Sequence, residues 1–333
     1  MRRFLAALAA GALGLMASSA SAQNYAWKPD KPINLIVPWA AGGSTDQMAR
    51  IVASELEAEL KQKFVVINQP GASGSIGTKN ALDAPKDGYT WAAGAATDVG
   101  TYRVLGLVDT GIKDWHLFFA VANLTAISAN PNAPFKDFGE FMEATKKSQV
   151  AVATAGLSSA GHNFMESVKS AGKIDYKHIT YDGGNPAVLS AVSGETPAVA
   201  QLLVEMTEHI KAKRLVPLAV LSDKPVMLEG FGEIAPVTKW LPSMPVPMNY
   251  FGIWVPRGVP AEVVKTMSEV WNNKIKNSDA LKKYAAQRSA LFTPIHGDEA
   301  ETESFKMVRY SAWLYFDGGK AKVSPDTLGI PRL

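Results

Sequence analysis

The sequence predicts an α/β protein of two lobes, each a mainly parallel sheet flanked by helices. Three observations lead there. Apolar runs of strand length are followed by Gly- and Ser-rich turns and then by apolar residues at helical spacing, the pattern of βα units. These units occur in two blocks, residues 31–93 and 150–221, with candidate crossings between lobes at residues 124–128 and 249–255. The length of 333 residues suits two domains of about 100–200 residues each.

The first 22 residues are expected to be a leader outside the fold. Met1-Arg2-Arg3 is a short basic start, residues 4–16 are apolar, and Ala20-Ser21-Ala22 is a small-x-small cleavage site. The apolar run is too short to cross about 30 Å of hydrocarbon, and no later stretch reaches that length. The mature chain is therefore expected to start at Gln23 and to reside in a periplasm.

Residues 31–38 read as a buried strand, and Trp39-Ala40-Ala41-Gly42-Gly43-Ser44-Thr45-Asp46 as a Gly-rich turn. Met48, Ile51, Val52, Leu56 and Leu60 then recur at helical spacing, with Ser44 and Gln47 fitting a capping box. Phe64-Val65-Val66-Ile67 is the next strand, leading to a second Gly/Ser turn at residues 68–77 and a helix through Leu82. Asp87-Gly88 turns the chain into a strand over residues 89–93. In the second block, the strand at 150–154 leads to the loop Ala155-Gly156-Leu157-Ser158-Ser159-Ala160-Gly161-His162 and a helix carrying Phe164, Met165 and Val168. A strand at 176–181 and the turn Asp182-Gly183-Gly184 open a helix with Pro186 in its first turn. Residues 196–203 and 215–221 read as strands around a helix at 205–213. Four prolines make 236–247 a loop; a strand at 249–255 and helices at 260–276, 279–287 and 299–316 follow. The lobes are thus expected at residues 23–125 with 253–333, and at 126–252.

Composition excludes several classes of function. There is no cysteine, which removes disulfides, thiol catalysis, zinc ribbons and iron–sulfur clusters. The net charge of +3 includes Arg2 and Arg3 of the leader, so the mature chain is nearly neutral and lacks the basic excess that nucleic-acid binding needs. No Walker loop, dinucleotide fingerprint or Gly-x-Ser-x-Gly elbow is present, and the five histidines show no metal-ligand spacing. No cofactor is therefore expected. What remains is three Gly/Ser turns that open helices. Such turns present unpaired backbone N–H groups at the positive end of a helix dipole and hold anions without any catalytic side chain. Glycine at Gly43 is expected to allow a positive φ and close approach of an anion.

The segment 31–46, KPINLIVPWAAGGSTD, closely resembles the opening of the Bug-type solute-binding proteins of tripartite tricarboxylate transporters, which read K-P-I-x-L-V-V-P-F-x-x-G-G-x-x-D. Asn68-x-Pro70-Gly71-Ala72-x-Gly74-x-Ile76-Gly77 and Pro85-x-Asp87-Gly88-Tyr89-Thr90 match the family's second loop and next turn. His209-Ile210-Lys211-Ala212 with Leu215 resembles its helix-to-strand junction. The resemblance implies a two-lobed type II periplasmic binding protein fold closing on a small organic acid: a dicarboxylate, tricarboxylate or aromatic carboxylate. It implies no catalysis, membrane permease subunits as partners, and ligand contacts at Trp39, Ala40, Gly43, Ser44, Thr45, Ala72 and Ser73. From the second lobe it implies Ser158, Ser159 and His162, with Asp182 nearby. A monomer is expected. Trp39 replaces the usual Phe, and the strand pattern G-x-x-D-x-x-x-D is here Gly194-Glu195-Thr196-Pro197-Ala198-Val199-Ala200-Gln201, without either acid. Arg103 is a weaker candidate for a distal carboxylate. Two other readings stay open at this point: a ligand sensor for a two-component system, and a secreted α/β hydrolase.

The leader carries its own test. Mass spectrometry of the exported protein should find its N-terminus at or beside Gln23; recovery with Met1 intact in a membrane fraction would refute cleavage.

Overall fold

The computed structural model describes residues 24–332, so the leader lies outside the described residues. The chain begins with β1 (Ile33–Val37), α1 (Ser44–Leu60), β2 (Phe64–Asn68), α2 (Ser75–Asp83), β3 (Thr90–Ala95), α3 (Ala96–Leu105) and β4 (Trp115–Asn123). It crosses to the second lobe for β5 (Thr125–Ala129), α4 (Phe138–Lys147), β6 (Val150–Thr154), α5 (Ala160–Gly172), β7 (Tyr176–Thr180), α6 (Gly184–Ser193), β8 (Ala198–Leu202), α7 (Leu203–Lys211) and β9 (Val216–Val220). A small hairpin, β10 (Val226–Leu228) with β11 (Gly232–Ile234), follows. The return comprises β12 (Tyr250–Pro256), α8 (Ala261–Asn273), α9 (Asp279–Arg288), β13 (Ala290–His296) and α10 (Gly297–Asp317).

The first lobe holds a six-stranded sheet ordered β13-β4-β12-β3-β1-β2, and the second a five-stranded sheet ordered β7-β6-β8-β5-β9. Both sheets are mixed. The βα units pair in parallel as expected, β1 with β2 and β3 and β6 with β7 and β8. The strands at the crossings pair antiparallel, β12 with β3 and β4, and β5 with β8 and β9. The reason is geometric: β4 leaves the first lobe and β12 re-enters it, so two neighbours on one path run in opposite directions. The Asn123 amide donates to the Asn249 carbonyl at 3.1 Å, tying the two crossings together.

Elements with a one-sided apolar stripe match the sequence reading. In α1, Met48, Val52 and Leu56 are fully buried, one turn apart. Its start differs: Gly43, not Ser44, is the N-cap, and no side chain caps it. Asp46 in the first turn instead accepts the Gly42 amide at 2.9 Å and the Asn68 side-chain amide at 3.0 Å, which shapes the turn. Three elements, α3, β4 and β13, carry no such stripe and escape the periodicity. α3 is buried on nearly every side, and β4 is a continuous apolar run covered on both faces. α4 is capped by Asp137, whose carboxylate accepts the Glu140 amide, and buries Phe138 and Phe141 on one face. β13 contains Pro294 and is bulged between Phe292 and Ile295, as an edge strand tolerates.

Gly161, at the start of α5, lies against β8. A Cβ there would sit 1.9 Å from the Ala200 carbonyl oxygen. Because the obstacle is backbone, Gly161→Ala should cost about 1–3 kcal/mol in urea unfolding; wild-type stability would show that the helix can lift off the sheet.

Candidate functional site

The two lobes meet over a narrow, half-open cleft. The first turns of five helices line it: Ser44 and Thr45 of α1, Asp98 of α3, Ala160 of α5 beside its cap Ser159, Gly184 of α6, and Glu205 of α7 beside its cap Leu202. Trp39, Gln201, Ala155 and Phe251 complete the wall. No lysine, arginine or histidine is among the lining residues. Positive potential in the cleft therefore comes from helix N-termini and their unpaired N–H groups.

Two carboxyls share this space. Asp98 is buried and its Oδ2 accepts the Trp39 indole N–H at 3.0 Å and the Ala95 amide at 3.2 Å. Burial pushes its carboxyl up to about 7, against the opposing pull of those two donors. Trp39, where the family pattern has Phe, thus supplies the donor that holds Asp98. Glu205 spans the lobes. Its Oε1 accepts the Ser44 amide at 2.7 Å, and its Oε2 accepts the Gln201 side-chain amide at 2.8 Å. Burial raises its carboxyl as well, opposed by the Ser44 amide and Gln201. Gly43 does not adopt the expected positive φ: its φ is an ordinary −70°, and it packs closely on this contact instead. A Cβ at Gly43 would come within 3.1 Å of Glu205 Oε1.

The residues expected from sequence fall into three groups. Trp39, Gly43, Ser44, Thr45 and Ser159 line the cleft. Ala72, Ser73 and Ser158 are not among its lining residues; Ser73 and Ser158, with Leu157, form a clasp between the lobes. The Leu157 amide donates to Ser73 Oγ and Ser158 Oγ donates to the Ser73 carbonyl, both at 2.8 Å. Ala72 and Ser73 both carry left-handed φ, 45° and 57°, an unfavourable pair that the clasp holds in place. Ala40 sits at the rim, where a Cβ on Gly183 would meet it at 2.7 Å, and Asp182 beside that glycine is exposed. His162 lies behind the cleft. It stacks on His178 with ring centroids 4.0 Å apart, and its Nδ1 pairs with the Tyr176 hydroxyl at 3.0 Å. Burial, with His178 and Lys320 close by, holds His162 far below the usual histidine range, so it stays neutral. Lys320 donates to Glu166 Oε1 at 2.8 Å, a further tie between the lobes. Arg103 pairs with Asp109 and Asp114 on the surface.

Asp98 and Glu205 belong to no recognisable sequence motif. Asp98 opens a helix with no amphipathic signature. Glu205 did leave a signal: it is a single charge in the apolar run from Ala198 to Met206, four residues after Gln201.

The Asp98 shift has a consequence for stability. Its ordinary value is 3.8, so between about pH 4 and 7 the folded protein keeps a proton that the unfolded chain has released. Its contribution is full below pH 4 and is lost as pH rises through 7. Urea unfolding from pH 5 to 8 should lose stability more steeply in wild type than in Asp98→Asn, which keeps an acceptor for Trp39; equal slopes would contradict the shift.

The sequence matches the family described as "Tripartite tricarboxylate transporter family receptor" over residues 48–306. Protein BugT of Bordetella pertussis is 27% identical over 313 residues, covering 90% of this chain and 91% of BugT. The periplasmic binding protein BugD superposes with a TM-score of 0.78 at 22% identity, over 88% of this chain and 99% of BugD. An R. palustris protein solved with adipate superposes at 0.76 with 21% identity, over 92% of this chain and 99% of that one. These likenesses share the two-lobed binding-protein fold described above. The chain belongs to the tripartite tricarboxylate transporter receptor family, the Bug-type solute-binding proteins.

Proposed function

We propose that this protein is a periplasmic receptor that captures a small organic acid between its lobes and delivers it to the membrane subunits of a tripartite-type secondary transporter. The observation that carries the reading is the convergence of five helix first turns on one cleft between the lobes that has no cationic side chain among its lining residues. Such a site favours a carboxylate through amide and hydroxyl donors. Hydrogen bonds to a charged group contribute about 1.5–3 kcal/mol each, so a few suffice for micromolar affinity, about −8.2 kcal/mol. The related protein solved with adipate supports an acid as the solute.

Binding rather than turnover fits the side chains. The Ser159 hydroxyl is engaged by the Gly156 carbonyl at 2.7 Å, and the nearest histidine in sequence, His162, is held behind the wall by Tyr176 and His178. The expected leader and the family together support export. Among the described residues, no helix is long and apolar enough to cross a membrane.

A thermal-shift screen of mono-, di- and tricarboxylic and aromatic acids tests the reading. A cognate acid at 100 times its Kd should add about 2.7 kcal/mol of stability. If no carboxylate stabilises the mature protein, the reading fails. Small-angle scattering supplies a second check: a bound acid should leave a radius of gyration no larger than that of the free protein, because the ligand lies between lobes already in contact. Expansion on binding would contradict capture in this cleft.

A further inference from the structure

We propose that Glu205 acts as a built-in carboxylate on the N-terminus of α1, and that the acid this cleft accepts therefore bears an N–H donor, as an ammonium or a carboxamide, in place of a second carboxylate. The proposal rests on the carboxylate reading above and narrows it.

The place where a ligand carboxylate would be expected, the first turn of α1, is already occupied from the opposite lobe. Glu205 Oε1 accepts the Ser44 amide at 2.7 Å, as a bound acid would. Gln201 secures the other oxygen at 2.8 Å. Gln201 itself is only 4% exposed, yet its Oε1 has no hydrogen-bond partner among the described residues. A buried acceptor left unpaired is costly and requires a donor. Gln201, which carries that unpaired acceptor, and Glu205 both line the cleft. Both offer acceptors, so the group that completes them is a donor, which a carboxylate is not.

Charge balance points the same way. Each helix N-terminus is equivalent to roughly half a positive charge. Five of them face Asp98 and Glu205, and every negative charge carried by those acids reduces the field left for a ligand. A dicarboxylate would bring two more negative charges beside Glu205 without any cationic side chain to meet them. An amino acid or the monoamide of a diacid brings one carboxylate for the helix termini and one donor for the Glu205–Gln201 wall. The departure of this chain from the family strand pattern acquires a physical meaning: an uncharged amide stands at 201, and a carboxylate appears four residues later, turned across the cleft.

The test uses the mature protein and straight-chain C4 to C6 dicarboxylates, their monoamides and the corresponding ω-amino acids, titrated by calorimetry. In wild type the tightest nitrogen-bearing acid should bind at least tenfold tighter than the dicarboxylate of the same length. In Glu205→Gln that gap should close, chiefly because the dicarboxylate gains affinity. Wild-type binding of a dicarboxylate as tight as, or tighter than, its monoamide and amino counterparts would overturn the proposal while leaving the carboxylate reading intact. No binding by any acid of the three series, with or without nitrogen, would overturn the carboxylate reading and this proposal with it. The wild-type order decides the question even if the variant folds poorly.

Discussion

A helix that follows a parallel strand begins at that strand's carboxyl edge, and in this molecule the two sheets turn those edges toward each other. Everything at the cleft follows from that constraint. α1 follows β1, α3 follows β3, α5 follows β6, α6 follows β7 and α7 follows β8, so five helix N-termini meet in one small space. Ligands of open α/β sheets bind outside the carboxyl ends of the strands for the same reason. Here the arrangement is doubled, and the site needs no lysine or arginine to be attractive to an anion.

The two acids show how such a field is moderated. An unopposed cluster of helix termini would hold any anion indiscriminately. Asp98 sits on the N-terminus of its own helix, and Glu205 sits on that of a helix in the other lobe. Each removes part of the positive potential and leaves the rest at a defined place. Burial raises both carboxyls, so their charge depends on what else enters the cleft. The lobes are also joined outside the cleft, by the Ser73 clasp and by Lys320 with Glu166. Ser73, the second of the left-handed pair, belongs to that clasp, so its conformational strain is balanced by bonds that exist only when the lobes touch.

The sequence by itself determined the family, the two-lobed α/β class and the βα units with a one-sided apolar stripe, because these depend on local periodicity and on turn residues at fixed spacing. The opening 31–46 made Trp39, Gly43, Ser44 and Thr45 legible as one turn before a helix. Tertiary structure alone decided the rest. The antiparallel crossings arise from two strands sharing a hinge, which no local pattern records. α3 and β4 are buried on nearly every side and so carry no alternation to read. The second loop resembles the first in composition, yet its serine bonds the opposite lobe, while His162 turns away from the cleft to Tyr176 and His178. Glu205 and Ser44 stand 161 positions apart, and their bond depends on how one lobe docks on the other. A residue's neighbours across a cleft are set by the packing of whole sheets, and packing is the one property that spacing along the chain does not encode.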